Sequence, residues 1–268
     1  MLLEIKIAIV ILAGLIAAYT DYRTGYIYDW LNYSFILIGI ILAIFSPNVI
    51  WAFAQFIIVF AIGYLAYKFG KIGGGDIKFF AGLVLYFPFF NGYPFILIVL
   101  LLASLFATIY YSFYYLIKLL LMKSKLAINS FYISLIISIV FATLFFIFIN
   151  YYLGIIILFF IFSALFTMLT KTEITTKFWK KKISVNKLLD DDLVDMISLN
   201  EEYDKTKKIS TIDMYPLEKK TFEKLKNILP KDAKLFVYRN LPIFGPFIAL
   251  GIILAFIILS FVNLGFLF

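Results

Sequence analysis

The chain contains no cysteine and no histidine. The first absence excludes disulfides and thiolate nucleophiles. The second removes Ser-His-Asp and Cys-His triads, and together they remove the usual zinc ligands. Bond-breaking chemistry therefore falls to carboxylates, lysine, tyrosine, serine or threonine. Acidic residues are also scarce over most of the chain. Of 16 Asp and Glu, 12 fall within residues 171–240, which leaves only Glu4, Asp21, Asp29 and Asp76 elsewhere.

What abounds is apolar. Hydrophobic residues make up 64% of the 268 positions, with a mean hydropathy of +1.01, against roughly 45–50% in soluble domains. The 32 Phe and 19 Tyr exceed what a water-soluble core of this size can hide. The composition predicts an all-α polytopic membrane protein. A crossing helix needs about 17–25 mostly apolar residues. Runs near 3–20, 31–46, 50–69, 77–92, 94–120, 128–149, 152–170 and 243–264 meet or approach that length, for eight spans with six as the lower count. The fourth is the weakest: Pro88, Asn91, Gly92 and Pro94 crowd its end and suggest a short or re-entrant helix.

The division expected is a membrane helical domain at 1–170, a soluble insert at 171–240 and a final transmembrane helix at 241–268. The charges then orient the spans. With the amino terminus outside, Arg23, Lys68, Lys71, Lys78, Lys118, Lys123, Lys125 and the whole insert lie on the inner side. The turns at 46–48, 91–94 and 150–154 carry no Lys or Arg. That separation follows the positive-inside rule, with Lys6 as its one exception, and puts the chain in the cell membrane as a multi-pass protein. Residues 1–20 also have the apolar core of a secretory signal, but lack its basic leader because Glu4 and Lys6 cancel.

The insert reads as a small cytosolic α+β unit, with a short strand near Ile183–Val185, a helix in "LEKKTFEKLKNIL" and a strand in "KLFVYR". Phe178 and Trp179, beside Lys180 to Lys182, read as an interfacial anchor. The net charge of +8 fits anionic membrane lipids as a partner and calls for no nucleic acid.

In this topology Asp21, Asp29 and Asp76 all fall at the inner bilayer surface. Two carboxylates within a few ångströms cannot both ionise, so they share a proton; the ionised member is then a base for water and the protonated one polarises a carbonyl. The stretch "GGGD" (Gly73, Gly74, Gly75, Asp76) adds backbone without Cβ, which lets an extended substrate approach. Its amides also face the site at a helix start. The ordinary readings stand beside this one. An Asp before a helix is often only a cap, Asp21 can pair with Arg23, and Asp29 with a loop partner. Gly14, Gly39, Gly63 and Gly82 read as close-packing positions.

At this point "DYRTGYIYDW" and "GGGDIK" resemble the paired motifs of the GxGD membrane aspartic peptidases, in particular archaeal preflagellin peptidases and type IV prepilin peptidases. Asp21, Arg23, Ile27 and Asp29 match the first motif. Gly73, Gly75, Asp76 and Lys78 match the second. "LPIFGPFIALG", with Pro242 and Pro246, is similar to the proline-rich entry to the last span in these families. Prepilin peptidases usually have Ile-Pro-Asn where this chain has Ile27-Tyr28-Asp29, and many have a tetracysteine loop. Both departures favour the preflagellin type, whereas the pair of spans at 128–149 and 152–170 is extra beside its six helices. The resemblance implies removal of a short basic leader from an archaellin or pilin-like precursor at the cytoplasmic face. Asp21 and Asp76 would activate water without a cofactor or metal, supported by Arg23, Asp29 and Lys78. Gly73 to Gly75, Pro242 and Pro246 would admit the scissile strand.

Three rivals remain. "DDDLVD" (Asp190 to Asp195) has the Asp-Asp-x-x-Asp spacing by which prenyltransferases hold Mg²⁺ and pyrophosphate, although acids opening a soluble helix read as dipole partners. A non-enzymatic cation or proton transporter would want acids deep in its spans. A Ser-Lys peptidase would use Ser104 or Ser112 with Lys118, although membrane serines usually bond back to their own helix.

Overall fold

The computed structural model describes residues 2–69, 72–148, 151–188, 192–202, 214–216, 219–230, 233–238 and 241–263. Helices fall on all eight apolar runs: α1 (Leu2–Thr24), α2 (Asp29–Ile44), α3 (Val49–Lys68), α4 (Gly74–Tyr86), α5 (Phe95–Leu121), α6 (Lys125–Phe148), α7 (Tyr151–Ile174) and, after the insert, α10 (Gly245–Asn263). Of these, α1, α3, α5, α6 and α7 are long and apolar enough to cross a membrane, while α2 and α10 are shorter apolar helices. The chain is a polytopic helical membrane protein with a small α+β insert before its last helix.

Two compact units divide it. The first comprises residues 1–100 and 179–268; the second is 101–178. In the first unit α1 packs along α10, and α4 lies against α2 and α3. The fourth helix is only 13 residues long, yet nearly every residue from Ile77 to Tyr86 is buried. A helix that is apolar all round belongs in the middle of a bundle. Phe35 of α2 stacks between Phe79 and Tyr86 of α4, at ring distances of 4.9 and 4.5 Å, and Tyr86 Oη donates to the Phe35 carbonyl at 2.9 Å. Small residues allow the approach. A Cβ on Gly63 would lie 2.5 Å from Ile77 Cγ2, and added methyls at Gly14, Gly39 and Gly82 would likewise press on a neighbouring helix.

The weak fourth span ends as its prolines predict. Helix α4 stops at Tyr86, and the chain turns at Asn91 and Gly92, both with positive φ. Asn91 Nδ2 ties that turn to the Leu259 carbonyl of α10 at 3.0 Å, and Phe87, Phe90, Phe95 and Phe256 pack ring on ring beside it. In the second unit, α6 and α7 pair along their length. Ser130, Ser134 and Ser138, spaced four apart, are all buried, as are Ser163 and Thr170. That spacing puts the α6 serines on one face, where small side chains suit close helix contact.

The insert forms a four-stranded antiparallel sheet in the order β1-β4-β2-β3. Its strands are β1 (Lys180–Ser184), β2 (Leu193–Asp195), β3 (Met214–Pro216) and β4 (Lys234–Tyr238), with helices α8 (Met196–Glu202) and α9 (Lys219–Ile228). Strand β1 begins three residues earlier than the apolar Ile183–Val185 suggested, because it pairs with β4 from Lys180 opposite Tyr238 to Ser184 opposite Lys234. Val194, Met196, Leu225 and Val237 are fully buried beneath the sheet and helices.

Candidate active site

Asp21 occupies the last turn of α1 and is buried. Its Oδ2 accepts two backbone hydrogen bonds from the start of α10, from Gly245 N–H at 2.6 Å and Phe244 N–H at 3.0 Å. The first amides of a helix have no acceptor of their own, and a carboxylate 224 positions earlier in the chain supplies one. Only glycine fits at 245. A Cβ there would lie 2.7 Å from Asp21 Cβ and 3.1 Å from the Ala17 carbonyl oxygen. Pro242 and Pro246 flank the two donors, and having no N–H they cannot donate themselves.

Asp76 lies in the first turn of α4, and its Oδ2 is turned back toward Gly73, the residue preceding the helix. That is the position from which a third helical residue reaches back to the cap in a capping box. Gly73 and Gly74 border this carboxylate and its turn. Gly75 is already occupied: a Cβ on it would stand 2.8 Å from the carbonyl oxygen of Ile27 and 3.1 Å from Ile27 Cβ. The loop between α1 and α2 is thus pressed onto the glycine run by buried Ile27. With that loop in place, α1 touches α4, and Asp21 comes close enough for its charge to act on Asp76.

The supporting residues divide. Lys78 Nζ bonds Asp29 Oδ1 at 2.6 Å and lies over the Tyr33 ring at 5.0 Å, which ties α4 to the start of α2. Arg23 is exposed, with its guanidinium 5.6 Å from the Tyr19 ring centre. It makes no ion pair with Asp21, so that ordinary reading of Asp21 does not hold.

Three contributors escaped the sequence reading: the amides of Phe244 and Gly245, and Asn32. Asn32 is completely buried in α2, and its Nδ2 donates to the Gly75 carbonyl at 3.1 Å. Its Oδ1 has no partner among the described residues. A signal existed for it, since a carboxamide inside an apolar span is costly and such residues mark function.

Of the acidic run, Asp190 and Asp191 lie outside the described residues. Asp195 opens α8, accepting from Ser198 Oγ at 2.6 Å and pairing with Lys180 Nζ at 2.5 Å. Among the described residues no group of three or more acids stands in metal-binding array. Ser104 Oγ bonds back to the Leu101 carbonyl at 3.0 Å, and Lys118 Nζ bonds Tyr114 Oη at 2.5 Å.

Two carboxylates from separate helices, Asp21 of α1 and Asp76 of α4, thus each lie at the start of a helix, α10 and α4 respectively. Residues 8–112 match the type IV leader peptidase family, a span that includes both aspartate motifs. The match supports the resemblance to the GxGD prepilin and preflagellin peptidases, and with it a type IV leader peptidase function in general. Curated proteins and solved structures yield no match.

Proposed function

We propose that this chain is an aspartic endopeptidase of the cell membrane that cuts a short basic leader from preflagellin or a type IV pilin-like precursor. Its site works at the cytoplasmic face, with the amino terminus outside. The observation that carries the reading is the convergence of Asp21 and Asp76, set 55 positions apart in a chain with only two other acids outside residues 171–240. Carboxylates that feel each other's charge ionise one at a time. The singly protonated pair activates water toward an amide without metal, His or Cys.

Gly73 and Gly74 give an extended substrate room beside Asp76. Pro242, before α10, and Pro246, in its first turn, would guide the substrate past the amides that Asp21 accepts. The Asp29–Lys78 pair and Arg23 are assigned a supporting role, and the basic insert, by its charge, favours anionic lipid. Tyr28-Asp29 in place of Pro-Asn, and an insert before the last helix, favour the preflagellin type of substrate.

A membrane cleavage assay on archaellin and pilin-like precursors tests this. Asp21→Asn and Asp76→Asn are expected to abolish processing, and Asp29→Asn to leave part of it. Full processing by either of the first two variants overturns the proposal.

A further inference from the structure

We infer that the two aspartates are not equivalent: the α10 amides make Asp21 the ionised base, and Asp76 carries the proton. This rests on the peptidase reading and divides its chemistry. Asp21 Oδ2 takes two backbone donors at 2.6 and 3.0 Å, at the positive end of a helix dipole. Asp76, in the first turn of α4, has that helix's own dipole and lies beside Gly73, but among the described residues it holds no such pair of donors from another element. Each donor bonded to a carboxylate favours its charged form. The carboxyl end of α1 opposes charge on Asp21, but a dipole acting through its last turn is weaker than two direct bonds.

Few other charges compete. Among the described residues Asp21 makes no ion pair. Arg23 is turned to Tyr19, Asp29 is held by Lys78, and α10 carries no titratable side chain along its described length. One oxygen of Asp21 is fixed by the amides, which leaves Oδ1 for water.

The steps follow from that division. Asp21 takes a proton from water as the water oxygen bonds to the scissile carbonyl carbon. Asp76 passes its proton to the carbonyl oxygen, giving a gem-diol. Asp21 then returns its proton to the amide nitrogen as the C–N bond breaks, and a gem-diol hydroxyl restores the proton of Asp76. One water is consumed, and a carboxylic acid and an amine leave.

The test is the pH profile of kcat/KM for precursor cleavage by the full chain in membranes. Phe244→Pro removes one donor N–H, whereas Phe244→Ala keeps it. The acid limb is expected to move up by about one pH unit in Phe244→Pro and to stay at its wild-type position in Phe244→Ala. An unmoved limb in Phe244→Pro, or equal movement in both variants, overturns the inference while wild-type cleavage leaves the peptidase reading intact. A second measurement needs no activity from the variant. At the pH of maximal cleavage, the infrared carboxylic-acid C=O band of the purified wild type should vanish in Asp76→Asn. Its persistence would show the proton on Asp21 and overturn the assignment.

Discussion

Asn32 shows how one amide can set the position of a carboxylate it does not touch. Its Nδ2 holds the carbonyl of Gly75, the residue before Asp76, so the first turn of α4 is fixed to α2 just where the acid projects. Asn32→Leu removes that bond and also the unpartnered Oδ1. Losing the bond costs about 1 kcal/mol, while removing the unpartnered Oδ1 relieves a desolvation penalty of about the same size, so the two offset. Cleavage should therefore fall about tenfold, mainly in kcat, while the melting temperature holds. Steady-state kinetics and a thermal melt of the same preparation check both halves. Gly245→Ala acts more bluntly, because its methyl meets Asp21 Cβ and a backbone oxygen, neither of them the free end of a flexible chain. A catalytic group displaced by about 1 Å costs on the order of 100-fold in rate, and single-turnover cleavage would show that loss. The acids stand out in the sequence as candidates because carboxylates are rare and costly in such a chain. The amides of Phe244 and Gly245 were not, since every residue but proline carries one. Only the fold says which amides go unpaired.

At the scale of elements, what was readable followed from length and periodicity. The apolar runs became helices, and the prolines after Tyr86 stopped α4 where the fourth span looked weakest. The sheet was half readable: "KLFVYR" has the residues of a strand, whereas "KKKIS" pairs as β1 because β4 lies alongside it. Partners distant in sequence leave no local mark. The acid run shows the same limit in reverse, since its spacing suggests a metal while Asp195 caps α8 and pairs with Lys180. Burial alone would raise the Asp195 carboxyl, but the bonds from Lys180 and Ser198 outweigh it and hold it below the usual range. A group lowered in the folded state stabilises the fold above its unfolded value, about 3.9. That stability is lost as pH falls through the folded value. Amide exchange in β2 and α8 of the full chain should therefore quicken below about pH 4. Asp195→Asn, which keeps the shape but loses the charge, should remove that acid step and cost about 2 kcal/mol at neutral pH. Protection that stays constant through the acid range would show the pair contributes nothing.

For the molecule as a whole, the proposed pairing of Asp21 with Asp76 demands that the α1–α2 loop and the approach to α4 share one side of the membrane. The turn at 46–48 must then lie on the other. Lysine and arginine predict those sides: Arg23, Lys68 and Lys78 flank the first two segments, and no cation flanks the third. Charge distribution is a whole-chain property and is legible without knowing any contact, which is why a side for the site can be proposed from sequence while its hydrogen bonds cannot. The absence of cysteine makes the chain a ready template for measuring it. Single substitutions Thr24→Cys, Ile72→Cys and Pro47→Cys can be probed in inverted and right-side-out vesicles with a maleimide that does not cross lipid, with no native thiol to remove. Thr24, Ile72 and Pro47 are all exposed, so reagent access depends on side rather than on packing. Labelling at 24 and 72 is expected in inverted vesicles and at 47 in right-side-out ones. If 24 and 72 label from opposite sides, Asp21 and Asp76 are separated by the hydrocarbon layer, where a charged group is costly and no proton can be shared between them. Both the cleavage mechanism and the division of roles within it would then fall together.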